Sequence, residues 1–95
     1  MFVVLLRFSD NRDRAAQLME GHKQWIKRGF DEGVFLLSGS LEAGSGGGIF
    51  AHNTTLAELR DRMNEDPFVA ENVVRTEIIE ISPGKADERV AFLLN

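Results

Sequence analysis

The stretch Phe2-Val3-Val4-Leu5-Leu6-Arg7-Phe8 decides the fold of this 95-residue chain. Alternate residues of a β-strand point to opposite faces, and both faces of a strand over residues 2–8 would be mainly apolar. Such a strand should be covered on both sides. A two-layer domain of this size has helices enough to cover only one face of its sheet. We therefore expect the second face to pack against the sheet of another subunit, which predicts a homodimer.

Patterns typical of helices and of strands follow this first strand along the chain. An apolar stripe with steps of three and four residues, N-capped by Asp10 or Asn11 and ending near Gly33, predicts the first helix. A second helix begins at a capping box formed by Thr55 and Glu58. Three further strands are predicted, at residues 34–37, 49–52 and 73–81.

The predicted order βαββαβ indicates one domain over residues 1–95, in which residues 84–95 form a C-terminal tail. This order is typical of an α+β protein of the ferredoxin-like type, in which one antiparallel sheet carries two helices on one face. The tail is too short to be stable alone. Its apolar residues Val90, Leu93 and Leu94 should therefore pack on the partner subunit or over the end of the sheet.

Composition excludes several classes of protein. The chain has 11 basic and 15 acidic residues, a net charge of −4, and no basic stripe, so nucleic acid is not an expected partner. No apolar run is long enough to cross a membrane, and no basic segment precedes the apolar run at Phe2, so we expect a cytoplasmic protein. With no cysteine and only two histidines on different elements, we expect neither a metal site nor another cofactor.

His22 and Asp66 are the residues most suited to chemistry. His22 falls on the apolar stripe of the first helix, and Asp66 precedes Pro67, where a short turn of helix should begin. A paired aspartate would hold one imidazole tautomer and leave the other ring nitrogen as a general base. The alternative is that His22 is a hydrogen-bonded core residue and Asp66 only a helix cap. Both roles can coexist.

Two small-residue segments bracket a predicted loop. Ser38, Gly39 and Ser40 can supply hydrogen bonds to a ligand or simply form a turn. The run Gly44–Gly48 superficially resembles a phosphate-binding loop, but it leads into a strand and lacks the lysine of such loops. We expect this run to be a flexible flap beside a cleft.

Five short motifs occur in a specific order along nearly the whole chain. They are His22 with Trp25, Gly33–Gly39, Gly47–Ile49, Asp66–Phe68 and Glu77–Pro83. Together they resemble the YciI-like (YCII-related) family. The chain departs from that family in having Ser40 where proline is usual, and Gly44-Ser45-Gly46 where many relatives carry an arginine and a threonine before the paired glycines.

The resemblance implies two ferredoxin-like subunits packed sheet against sheet in a dimeric α+β barrel. It also implies a small-molecule ligand and a His–Asp pair in a cleft, which matches His22 and Asp66. Trp25 and Phe68, which belong to the same motifs, are expected beside the ligand. Related barrels include isomerases, dehalogenases and cofactor-free monooxygenases of small organic molecules, but a shared fold does not assign a reaction. The sequence thus leaves open an acid–base enzyme of unknown substrate and a non-catalytic dimeric binding or interaction module.

Overall fold

A computed structural model describes all 95 residues. The strands are β1 (Phe2–Phe8), β2 (Phe35–Ser40), β3 (Gly46–Ala51) and β4 (Val74–Glu80), and the helices are α1 (Ala15–Asp31), α2 (Leu56–Asn64) and α3 (Pro67–Ala70). Three short 3-10 segments lie at Arg12–Arg14, Glu42–Gly44 and Glu88–Leu94. No helix is both long and apolar enough to span a membrane.

The four strands form one antiparallel sheet in the order β2-β3-β1-β4. Val4, in the middle of β1, lies opposite Ile49 of β3 and Ile78 of β4. The first strand is therefore central, which agrees with its two apolar faces. This order and the connecting helices confirm the predicted α+β, ferredoxin-like fold.

The core lies between one face of the sheet and the helices. On the sheet side, Phe2, Val4 and Leu6 are buried, and the helices contribute Trp25, Leu59 and Met63, among others. The buried indole of Trp25 donates from Nε1 to the carbonyl oxygen of Arg62 at 2.9 Å, so it ties α1 to α2 while its ring fills the core. A buried indole N–H ordinarily needs such a partner.

The opposite face of the sheet carries a row of apolar side chains that no helix covers. Leu37, Phe50, Val3 and Ile79 are register partners across all four strands in this order. The exposed fractions of Leu37, Phe50 and Ile79 are 51%, 41% and 41%. The helices thus cover one face only, as the size of the domain predicted.

The start of α1 differs from the prediction. Neither Asp10 nor Asn11 caps it, because the helix begins at Ala15 after the 3-10 turn of residues 12–14. The Asn11 side chain instead donates to the carbonyl oxygen of Glu71 at 2.9 Å. The Asn11 side chain therefore makes a tertiary hydrogen bond instead of capping the helix. At α2, the predicted capping box of Thr55 and Glu58 is confirmed.

The predicted loop of residues 38–48 is mostly a β-hairpin. β2 continues through Ser38, Gly39 and Ser40, and β3 already begins at Gly46, with Gly39 opposite Gly48. The prediction of a flexible glycine flap was wrong, because a strand ladder uses backbone groups and pairing with β1 compensates for the low β-propensity of glycine. Only residues 41–45 form the turn, which is closed by the Leu41 N–H donating to the Gly46 carbonyl at 2.9 Å.

The C-terminal tail folds back on the end of the sheet as 3-10 turns. The Asp87 carboxylate accepts hydrogen bonds from the side chain and backbone N–H of Arg89, which lower the pKa of Asp87. Phe92 packs edge-on against His52, with ring centroids 5.4 Å apart. Val90, Phe92 and Leu94 remain substantially exposed, so the tail has apolar surface left to cover.

Gly29→Ala should destabilise the protein even though alanine is the better helix former. Gly29 is buried in α1, where a Cβ would overlap the ring of Phe35 and lie 2.8 Å from its Cγ. Helix propensity favours alanine by about 1 kcal/mol, but overpacking a core costs about 1–3 kcal/mol, occasionally more. We expect a net loss of about 1–2 kcal/mol in the free energy of unfolding, measured in urea. In the double variant Gly29→Ala/Phe35→Leu, the smaller side chain at 35 should relieve part of the overlap, so the double variant should lose less free energy of unfolding than the sum of the two single variants. A loss equal to that sum would contradict the proposed overlap.

Candidate active site

A cavity of about 320 Å³ lies between α1 and the helix-side face of the sheet. This volume is within the range of small-molecule sites. The sheet supplies the floor, four residues of α1 form the opposite wall, and Phe68 of α3 closes one side. The fifteen residues that line it are Leu6, Phe8, Met19, His22, Lys23, Ile26, Ser38, Gly39, Ser40, Gly46, Gly47, Gly48, Ile49, Phe68 and Val74.

His22 lies in the wall of this cavity and is hydrogen-bonded to Asp66, which is buried behind it. The distance between His22 Nδ1 and Asp66 Oδ1 is 2.8 Å. The Asp66 side chain is fully buried, and that of His22 is 13% exposed. An ionised carboxylate only accepts hydrogen bonds, so Nδ1 carries the proton in this pair. The second ring nitrogen, Nε2, has no hydrogen-bond partner in the protein and is not buried.

Asp66 also shapes the chain around it. Its Oδ1 accepts a hydrogen bond from the backbone N–H of Phe68 at 3.0 Å, which caps α3 at Pro67. Its Oδ2 is buried without any partner. One carboxylate thus both begins a helix and orients an imidazole, and it retains an unpaired oxygen in the interior at some cost in stability.

Aromatic contacts fix the plane of the imidazole. The His22 ring stacks on Phe68, with centroids 4.0 Å apart and an interplanar angle of 5°. Trp25 stacks more loosely behind it, at 6.0 Å. Phe68 lines the cavity, but Trp25 does not, because its indole is buried between the helices. The expectation that Trp25 contacts a ligand is therefore not supported by its position, whereas Phe68 is placed where a ligand would meet it.

The predicted residues of β2 line the cavity from its edge. Ser38 lies opposite Ile49, and Ser40 lies opposite Gly47, so both serines share the helix-side face of the sheet. Gly39 contributes its backbone. Gly47 has no side chain to fill the space beside Ser40, which leaves room there for a ligand. The structure thus brings Ser38, Ser40 and His22 to one cavity.

Lys23 is a cavity residue that the sequence analysis missed. It directly follows His22 in α1, and residues i and i+1 of a helix point about 100° apart, so no pattern assigns both to one wall. None of the fifteen lining residues is an aspartate or glutamate. No group of three histidine, aspartate or glutamate side chains is arranged to hold a metal ion.

The fold and the site together define a ferredoxin-like α+β protein with a His–Asp pair in a cleft between sheet and helix. No protein-family model matches the chain, and no curated protein matches it in sequence. Among solved structures it is similar to 5-chloro-2-hydroxyhydroquinone dehydrochlorinase (TftG) from Burkholderia phenoliruptrix AC1100, in a complex with 2,5-dihydroxybenzoquinone. The TM-score is 0.70 over 88% of this chain and 96% of that chain, with 11% sequence identity. This likeness shows a common fold, and membership of the YciI-like family stays a prediction.

Proposed function

We propose that this protein is an acid–base enzyme acting on a small organic molecule in the cavity under α1. His22 is its general base and acid through Nε2. Asp66 is the positioning residue that holds the imidazole tautomer. Ser38, Ser40 and Phe68 contact the substrate. The reaction class is an isomerisation or an elimination that requires no cofactor.

The observation that carries this proposal is the asymmetry of the two His22 nitrogens. Nδ1 is bound to the buried Asp66 carboxylate at 2.8 Å, while Nε2 is accessible and has no protein partner. A neutral imidazole in this tautomer has its free lone pair on Nε2, where it can take a proton from a bound molecule. It can then return that proton to another atom of the same molecule or to a leaving group, and Asp66 stabilises the intermediate imidazolium.

The substrate class we propose is based on the protein of similar fold. That protein is a 5-chloro-2-hydroxyhydroquinone dehydrochlorinase, bound to 2,5-dihydroxybenzoquinone. The cavity described above is of a size to hold one small ring and is lined mainly by apolar groups with two serine hydroxyls. A ring-sized molecule carrying a few oxygens therefore suits the cavity in this chain.

A turnover experiment with a matched variant tests the proposal. The protein is incubated with a panel of hydroxylated and chlorinated quinols, including 5-chloro-2-hydroxyhydroquinone, and products are followed by absorbance and mass spectrometry. We expect turnover of at least one compound, reduced about 10²- to 10⁴-fold by His22→Gln, since general acid–base catalysis contributes a factor of this order. The matched control is His52→Gln, which changes the only other histidine, at the opposite end of the sheet from the cavity.

The contrary result is equally clear. If a compound of the panel is turned over by wild type and His22→Gln at the same rate, His22 is not the acid–base group. Binding without turnover would favour the alternative function, a non-catalytic binding module. The observation that favours this alternative is the Asp66–Phe68 hydrogen bond of 3.0 Å, because it gives the aspartate a structural task that does not require catalysis.

We also propose that a second copy of this chain covers the open face of the sheet. The row Leu37–Phe50–Val3–Ile79 crosses all four strands without interruption, and Ile81 extends it at the end of β4. Monomeric proteins seldom leave so continuous an apolar face in water. Sheet-to-sheet packing of two copies would bury it, and the exposed apolar residues of the tail would gain a surface to pack on. The assembly would be the dimeric α+β barrel that the family resemblance implies.

Sedimentation velocity at micromolar concentration should show a dimer. Ile79→Glu should yield a folded monomer, because a charge in the middle of the apolar row would be desolvated on association. The control is Ala57→Glu, which places the same charge at an exposed site of α2, on the other side of the molecule. A wild-type monomer that melts cooperatively at the same concentration would contradict the barrel.

A further inference from the structure

The charge of the cavity wall is opposite to that of the whole chain. The protein has a net charge of −4, yet no carboxylate lines the cavity and Lys23 does. Asp66 lies fully buried behind His22 and does not reach the wall. Lys23 makes neither a hydrogen bond nor an ion pair with the protein, whereas Lys27, one turn further along α1, is paired with Asp31 at 2.6 Å. The ammonium group of Lys23 is therefore free to bind a ligand.

A second cation, Arg12, does not line the cavity but packs against Phe8, one of its lining residues. Its guanidinium lies over the ring of Phe8, 4.2 Å from the centroid, and Phe8 lines the cavity. Its Nη2 donates to the carbonyl oxygen of Gly44 at 3.4 Å, so the group spans from the end of β1 to the turn between β2 and β3. Arg12 has no carboxylate partner. The arginines that do have one are Arg7, Arg14, Arg28, Arg62 and Arg89.

Aromatic side chains contribute to the walls of the cavity, and a flat molecule can pack against them. The His22 and Phe68 rings are stacked on each other 4.0 Å apart, so a ligand would contact their free faces or edges, and Gly47 presents bare backbone beside Ser40. Phe8 adds a third aromatic ring, next to the guanidinium of Arg12. The cations of Arg12 and Lys23 suit an anionic group on such a molecule, because a planar guanidinium pairs with a carboxylate through two parallel hydrogen bonds and an ammonium group adds a point charge.

We propose that the cavity selects a planar organic anion, such as an aromatic carboxylate, with Lys23 and Arg12 as its charge partners. This inference rests on the proposed function, because it names the substrate class for the same site. The anionic group faces Lys23 and Arg12 at the opening, and the ring lies against Phe8 and Phe68. The part of the molecule that loses a proton then lies on the His22 side of the cavity.

The test compares two probes that differ in charge and hardly in shape, 2,5-dihydroxybenzoate and 2,5-dihydroxybenzamide. Their affinities for the full-length protein are measured by NMR chemical-shift titration. We expect the carboxylate to bind about fivefold more tightly or better, and this preference to shrink as salt is added, because exposed charge pairs are screened. Lys23→Gln and Arg12→Gln should each weaken carboxylate binding about two- to fivefold without changing amide binding.

Two charge-matched controls complete the design. Lys27→Gln on α1 and Arg60→Gln on α2 remove the same charges outside the cavity, and they should leave both affinities unchanged. Equal affinity for the two probes, or binding of neither, would overturn the inference. A loss of affinity in all four variants would also overturn it, since it would indicate net charge alone. His22→Gln should retain the preference for the carboxylate, so failure of the proposed acid–base function and failure of the anion site give different results.

Discussion

Replacing Gly46 with alanine is expected to remove a large part of the protein's stability. Gly46 has φ +147°, a backbone conformation that L side chains rarely adopt. A Cβ at this position would overlap the carbonyl oxygen of Leu6 and lie 2.9 Å from its carbonyl carbon and 3.1 Å from Arg7 Cα. The obstacles are backbone atoms of the central strand, so no side-chain rotation can relieve them.

The size of this effect follows from the sum of two terms. Forcing a non-glycine residue into such a conformation costs about 1–3 kcal/mol, and the steric overlap with β1 comes in addition. Small domains have about 5–15 kcal/mol of stability in total, so we expect a loss of about 3 kcal/mol or more, and a fall of the melting temperature of at least 12 °C, at about 4–8 °C per kcal/mol. Circular dichroism during heating measures it.

Gly48→Ala is the matched control in the same strand. The nearest atoms to a Cβ at Gly48 are Leu41 Cδ2 at 3.8 Å and the Val4 carbonyl oxygen at 3.9 Å, which are ordinary van der Waals distances. We expect its stability within about 1 kcal/mol of wild type. If Gly46→Ala and Gly48→Ala melted alike, the close approach of β3 to β1 described above would be wrong.

Asp66→Asn should reduce turnover about 10²- to 10⁴-fold, as loss of the acid–base function would. The asparagine oxygen can still accept from the Phe68 N–H and from His22 Nδ1, but the neutral amide cannot stabilise an imidazolium. If the amide rotates so that its NH₂ group faces His22, Nδ1 becomes the acceptor and the proton moves to Nε2. In both orientations the base is weakened or lost.

The stability and the His22 tautomer of Asp66→Asn distinguish a loss of catalysis from a loss of folding. The two hydrogen bonds from His22 Nδ1 and the Phe68 N–H would lose their charged acceptor, and the amide NH₂ would replace Oδ2 as a buried group without a partner, so we expect about 1–3 kcal/mol of destabilisation. The ¹⁵N shifts of the His22 ring should report a change of tautomer population. Asp61→Asn is the control, because Asp61 is exposed on α2 and makes no hydrogen bond or ion pair. Wild-type turnover in Asp66→Asn would exclude a role for the pair in catalysis.

The sequence was sufficient for the features that depend on local patterning. The residues Phe2–Phe8 predicted the first strand, and the βαββαβ order predicted the ferredoxin-like topology that the sheet order β2-β3-β1-β4 confirms. The capping box of Thr55 and Glu58 and the cap of α3 by Asp66 were also predicted correctly. All of these depend on side-chain periodicity or on hydrogen bonds within three residues, which are visible along the chain.

Contacts between distant segments decided the rest. Glycines at 46–48 have low intrinsic β-propensity, so their local signal was that of a loop, but the free edge of β1 pairs with their backbone and turns them into β3. The Asn11 side chain bonds to Glu71, sixty residues away, instead of capping α1. In both cases a tertiary hydrogen bond overrides a local preference of about 1 kcal/mol.

The candidate site divides in the same way. The residue types and helical spacing single out His22 and Asp66 within the sequence, but only the packing of α1 against α3 brings them to 2.8 Å and leaves His22 in the wall of the cavity. Trp25, on the same helix, is buried away from that cavity, whereas Lys23 lines it and Arg12 packs against its lining residue Phe8. The sequence by itself determined which elements form and which groups are available for chemistry, because these depend on neighbouring residues. Only the tertiary structure decided which of those groups meet, because the distance between side chains on different elements depends on how the elements pack.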